Sequence, residues 1–220
     1  MIELPTYHCR RVTVPPALDS RVRDDAWHIA GPTSPFILTD GSRAAERQTT
    51  ARAVWDDRYF YVAFTCDDSD VWGTYTKRGD PVYEEEVVEV FITPHPSDLR
   101  VHTALELSPR NVLWISRHTT IPGQAPKTER NWEAPGIRAS TEVRGTLDDR
   151  TDRDEGWSAE LAIAYSELQT TRPQPGDVWR INFFRIDRTP LPEFSCWSPT
   201  LTTPPAFHIP ERFGFLRFEQ

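Results

Sequence analysis

Two apolar, aromatic runs, Thr50–Trp55 and Tyr59–Cys66, are separated by only Asp56-Asp57-Arg58. Strand-length runs around so short a polar turn read as a β-hairpin. Side chains alternate along a strand, so Phe60, Val62, Phe64 and Cys66 share one face of the second run. Tyr59, Tyr61, Ala63 and Thr65 share the other. Neither face carries a charge, which places this strand inside a sheet with both sides covered.

The same pattern recurs along the chain. Strands are expected near Phe36–Leu38 and over Val87–Thr93, Ile137–Arg144, Trp157–Ala164, Val178–Ile186 and Phe213–Phe218. Val101–Leu107 and Asn111–Ser116 form a second hairpin around Ser108-Pro109-Arg110. Residues 1–16, ending in Val14-Pro15-Pro16, read as an extended arm, 119–135 as a long loop and 145–156 as a charged loop. Helical turns are expected only at Asp24–Trp27 and Tyr165–Leu168. Twenty prolines in 220 residues are well above the usual share of about 5%, and proline interrupts helices. The expectation is all-β: a jelly-roll-like antiparallel β-sandwich of about ten to twelve strands with short helical turns, in one domain over residues 1–220. Trp55, Trp157 and Trp179 belong to its core, Trp27 plugs one end, and Trp132 lies in a polar loop.

Several function classes are disfavoured. The net charge is −8 and Lys and Arg form no stripe, so nucleic acid is not an expected partner. No stretch approaches the roughly 18 apolar residues of a membrane span. MIELPTYHCRRV has no apolar run of the leader type, which reads as cytoplasmic for the chain as given, or secreted if a signal has been trimmed. Cys9, Cys66 and Cys196 are odd in number and lack metal-type spacing. They read as buried free thiols, with one bridge from Cys9 to Cys66 or Cys196 left open. No phosphate loop, nucleophile elbow or zinc-protease helix motif is present, so no nucleotide is expected.

Four segments, in order, resemble the family 9 carbohydrate-binding modules. They are Ala53–Phe64 with the acidic turn Asp67-Asp68, Glu86–Ile92, Glu155–Ile163 and Phe207–Gly214, within residues 17–218. The resemblance implies a sandwich with structural calcium, and a sugar site where two aromatic rings clamp the end of a glycan. By position the rings are Tyr83 and Phe207, and the central acidic residue is Glu89. Glu106 stands where the family has a sugar-binding arginine, and Pro204 where it has an asparagine. Such modules usually serve glycoside hydrolases, so a separate hydrolase is an implied partner of a chain that binds an oligosaccharide or polysaccharide.

The residues support that chemistry in outline. A pyranose stacks its C–H face on an aromatic ring while its hydroxyls need carboxylate, amide or guanidinium partners. Glu89, Asn182 and Arg185 interrupt apolar strands, and a buried charge needs a partner or a wet cleft. Either Glu89, Glu106, Asn182 and Arg185 line one polar groove, or Arg185 is ion-paired with Glu89 or Glu160. Asp67, Asp68 and Asp70 offer hard oxygen ligands for calcium, or form a solvated turn. Rival readings are a glycosidase using Glu89 with Glu106, and a sandwich that has lost sugar binding and serves as an interaction domain. Haem is not expected: the only methionine is Met1, and His8, His28, His95, His102, His118 and His208 show no paired spacing.

Overall fold

The computed structural model describes residues 3–220. Its strands are β1 (Thr6–Arg11), β2 (Ile37–Leu38), β3 (Thr49–Trp55), β4 (Tyr59–Asp67), β5 (Val87–Thr93), β6 (Val101–Leu107) and β7 (Leu113–Thr119). There follow β8 (Lys127–Arg130), β9 (Ile137–Arg144), β10 (Gly156–Ala164), β11 (Val178–Asp187), β12 (Glu193–Cys196) and β13 (Gly214–Glu219). One helix, α1 (Asp25–Ile29), and three short 3-10 turns complete the described elements.

The sheet runs β8-β7-β6-β5-β11-β13-β1-β3-β4-β10-β9 and curls so that its two halves face each other. Val88, Val90, Ile92, Leu105, Ile115, Ile181 and Phe183 from one half meet Phe60, Val62, Phe64, Trp157, Leu161 and Ile163 from the other. The β3–β4 hairpin forms as its sequence dictates. The Asp56 carboxylate accepts the backbone N–H groups of Arg58 and Tyr59 at 2.7 and 2.8 Å, which turns the chain and sets Trp55 opposite Phe60. β4 lies between β3 and β10 and is covered on both sides.

Four expectations are corrected. The sandwich is not wholly antiparallel. Tyr7 and Cys9 alternate inward, and β1, within the expected arm, inserts parallel to both β13 and β3. Met1 and Ile2 of that arm lie outside the described residues. The expected 119–135 loop contains β8, an edge strand on β7. Its Lys-Thr-Glu-Arg sequence carries no apolar alternation because it is largely exposed, as suits a guarded sheet edge. Trp27 does not plug the core end: it packs with Val54, Tyr61, Ala63 and Ala162 on the outer face of β3, β4 and β10. Trp132 is half-buried beneath Arg117, whose guanidinium lies 4.6 Å from its ring. The three cysteines are free and buried.

Candidate functional site

Strand parity builds the site. In β5, Val88, Val90 and Ile92 face the core, which turns Val87, Glu89 and Phe91 outward. In β6, Leu105 and Leu107 face inward, and Ala104 and Glu106 outward. The register sets Phe184 opposite Glu89, Glu89 opposite Glu106, and Glu106 opposite Trp114. One row thus crosses four strands on the outer face: ring, carboxyl, carboxyl, ring. Tyr83, on the 3-10 turn Val82–Glu84, stands edge-on to Trp114 at 5.4 Å. Phe207, from the segment between β12 and β13, stacks on Phe184 at 4.3 Å and 14°. Tyr83, Glu89, Glu106, Trp114 and Phe207 all line one pocket of about 390 Å³, within the usual range of small-ligand sites. Phe207 has two roles, since it belongs to the outer apolar cluster and also walls the pocket.

Glu89 and Glu106 are only 2% and 4% exposed. Burial holds the Glu89 carboxyl far above the usual carboxylate range, and the neighbouring Glu106 adds to this. Burial pushes Glu106 up to about 8. Glu89 Oε1 and Glu106 Oε2 have no protein hydrogen-bond partner. Buried polar atoms are rarely left so in a finished core. A carboxyl that keeps its proton can donate as well as accept a hydrogen bond, and both functions serve a hydroxyl.

Two of the six expected ligand-binding residues lie elsewhere. Arg185 is odd in the β11 alternation that turns Phe184 and Ile186 outward, so it points into the interior. There it donates to Asp68 at 2.6 Å, Asp187 at 3.3 Å and the Asp67 carbonyl at 3.1 Å. Neither Glu89 nor Glu160 is its partner: Glu160 accepts hydrogen bonds from Trp27 Nε1 and the Ser20 N–H. Asn182 is fully buried, its side chain bonded to the Ser198 backbone in both directions. The polar groove therefore holds Glu89 and Glu106 without Asn182 or Arg185. Of the acidic turn, Asp68 meets Arg185 and Asp70 meets Arg150 at 2.7 Å, while Asp67 is exposed.

A further cluster escaped sequence reasoning. His102 on β6 and His118 on β7 are directly opposite each other, and His208 arrives beside Phe207. His102 Nε2 and His208 Nδ1 share a 2.9 Å hydrogen bond. Burial first, then the neighbouring His208 and His118, lowers His102 to about 3. Burial lowers His118 too, with Arg130 adding to it, and burial and His118 lower His208. All three rings are therefore neutral near pH 7. The hairpin spacing held the missed signal, since pairing Leu107 with Leu113 sets His102 opposite His118.

The family model for the carbohydrate family 9 binding domain-like domain matches residues 18–219. Three solved structures share the fold. A candidate carbohydrate-binding protein of Bacteroides uniformis is 17% identical at a TM-score of 0.76, covering 99% of this chain and 100% of its own. A family 9 module of Caldicellulosiruptor kristjanssonii in complex with cellotriose is 17% identical, with a TM-score of 0.65 and coverage of 98% and 94%. A family 9 module from the same organism in complex with glucose is 18% identical, also at 0.65, with coverage of 98% and 96%. No curated protein sequence matches the chain. The match to the family model spans nearly the whole sequence, and the chain belongs to the carbohydrate family 9 binding domain-like family.

Proposed function

We propose that this chain binds the end of an oligosaccharide or polysaccharide in the pocket lined by Tyr83, Trp114 and Phe207, without cleaving it. The observation that carries this reading is the row of two buried carboxyls between aromatic rings, each with an oxygen that no protein group bonds. Tyr83 and Trp114 offer faces and edges for the apolar side of a pyranose. Glu89 and Glu106 supply hydrogen-bond donors and acceptors for hydroxyls from a site where water competes less. Glu106 then performs by carboxyl chemistry what a guanidinium performs in relatives, and it would favour hydroxyl-rich, uncharged sugars over anionic ones. Family membership and the sugars named with two structural neighbours support the same reading. The natural setting would be polysaccharide breakdown, with a separate glycoside hydrolase as partner. A calcium ion at Asp67, Asp68 and Asp70 would be structural, but the turn fits it poorly, since the ion would have to take Asp68 from the buried Arg185 and Asp70 from Arg150.

The test is a glycan array followed by calorimetry with glucose and cellotriose, with and without chelator. Tyr83→Ala and Trp114→Ala are expected to lose binding while keeping the fold. Silence toward every glycan would overturn the proposal in favour of an interaction domain. Turnover of aryl glycosides, lost in Glu106→Gln, would overturn its non-catalytic half.

A further inference from the structure

We propose that His102, His118 and His208 form a binding site for a divalent transition-metal ion of the zinc class, with one coordination position open toward the pocket. Among the described residues this is the group of His, Cys, Asp and Glu whose ligating atoms come together, all within 4.8 Å of one another. Two of its members face each other across adjacent strands, so the backbone ladder fixes their approach. The third comes from the segment that also carries the pocket wall Phe207.

The spacing fits an imidazole-bound ion. Two nitrogens on one tetrahedral zinc, each about 2.0–2.1 Å from the metal, stand about 3.3 Å apart. His102 Nε2 and His208 Nδ1 are 2.9 Å apart, and the ion would replace the proton they share. His102 is buried and stacked on Phe91 at 5.8 Å, which makes it the fixed ligand. The His118 ring lies parallel to His102, with 7° between the planes, so it must turn to aim a lone pair at the same point. It is only half-buried, and Ser116 and Thr128 hydroxyls lie 2.9 and 3.4 Å from its two nitrogens. Either hydroxyl can hold the nitrogen that does not ligate, a common arrangement for metal-bound histidine. Arg130 bears on His118 and opposes a cation, while Glu89 and Glu106 in the same pocket can offset it by ionising. Three imidazoles plus an open position is the coordination of zinc sites that exchange a ligand. Because His118 and His208 line the pocket, that position would face whatever the pocket holds.

The inference does not rest on sugar binding, and zinc alone is the probe. Tag-free, chelator-stripped full chain is titrated with Zn²⁺ against a chromophoric competitor, and with Co²⁺ to read the ligand field. One ion per chain is expected. His118→Gln and His208→Gln, both at non-core positions, should keep their melting temperatures. Loss of an outer partner alone costs about 10–100-fold in metal affinity, so each variant should weaken zinc by at least that much. It should also change the Co²⁺ spectrum. Stoichiometry and affinity unchanged in the double variant would assign the ion to another site and overturn the proposal. Wild-type chain that binds no more tightly than the double variant would also overturn it. Sugar titrations on the same variants are scored separately, so failure of either reading leaves the other standing.

Discussion

Glu106→Gln removes one ionisable group from the buried carboxyl pair and nearly preserves its shape. Burial raises the Glu106 carboxyl to about 8, while an unfolded glutamate titrates near about 4.3. The folded chain therefore keeps a proton that the unfolded chain has released. The linked stability is complete below the unfolded value and is lost as pH rises through the folded one. Between those values each pH unit removes about 1.4 kcal/mol per proton. From pH 5 to pH 7 the wild-type chain should lose about 3 kcal/mol through this carboxyl, and the glutamine variant should not. Burial, the larger cause, raises Glu89 in both chains and cancels in the comparison, while the part that Glu106 adds is lost in the variant. For chains of this size about 1 kcal/mol moves Tm by about 2–4 °C. Whatever the offset at pH 5, the variant should thus gain about 6–12 °C on the wild type by pH 7. Thermal unfolding followed by circular dichroism across this range is the assay. Melting curves whose separation stays constant with pH would refute the reasoning, because they would mean that Glu106 is ionised and solvated in the folded chain.

Three other outcomes follow from the structure. Arg185→Ala should destabilise the fold by about 3–5 kcal/mol in urea titrations, since it leaves Asp68 and Asp187 buried without their cation; a stable variant deficient only in sugar binding would return Arg185 to the groove. Tyr83→Ala should weaken sugar binding at unchanged Tm because the ring is exposed, whereas Phe207→Ala should lower both, losing about 3 kcal/mol of packing against Phe184. A structural calcium on the Asp67–Asp70 turn should make Tm fall on chelation, and an unchanged Tm removes it.

Much of the site was legible in part. Tyr83, Glu89, Glu106 and Phe207 were placed by resemblance, and the structure brings all four to one pocket. The sequence groups Asn182 and Arg185 with them, because a polar residue inside an apolar strand looks the same whichever face it occupies. Parity within β11 separates these two from each other, but only the β5–β11 register shows which face is the groove. The histidines were invisible for a related reason. Only the hairpin register links His102 to His118, 16 residues on, and nothing local links either to His208, a further 90 residues away.

The sequence by itself determined most of the strands and their inward faces, though not β1, β8 or β12, because alternation, turn carboxylates such as Asp56, and proline act over a few residues. It also determined that the chain is a β-sandwich of this family. Tertiary structure decided what those strands do to one another. It set β1 between β13 and β3, placed Glu89 opposite Glu106, and turned Arg185 inward to Asp68. Pairing across a sheet joins residues far apart in the chain, and their burial and shared protons exist only once that pairing has formed.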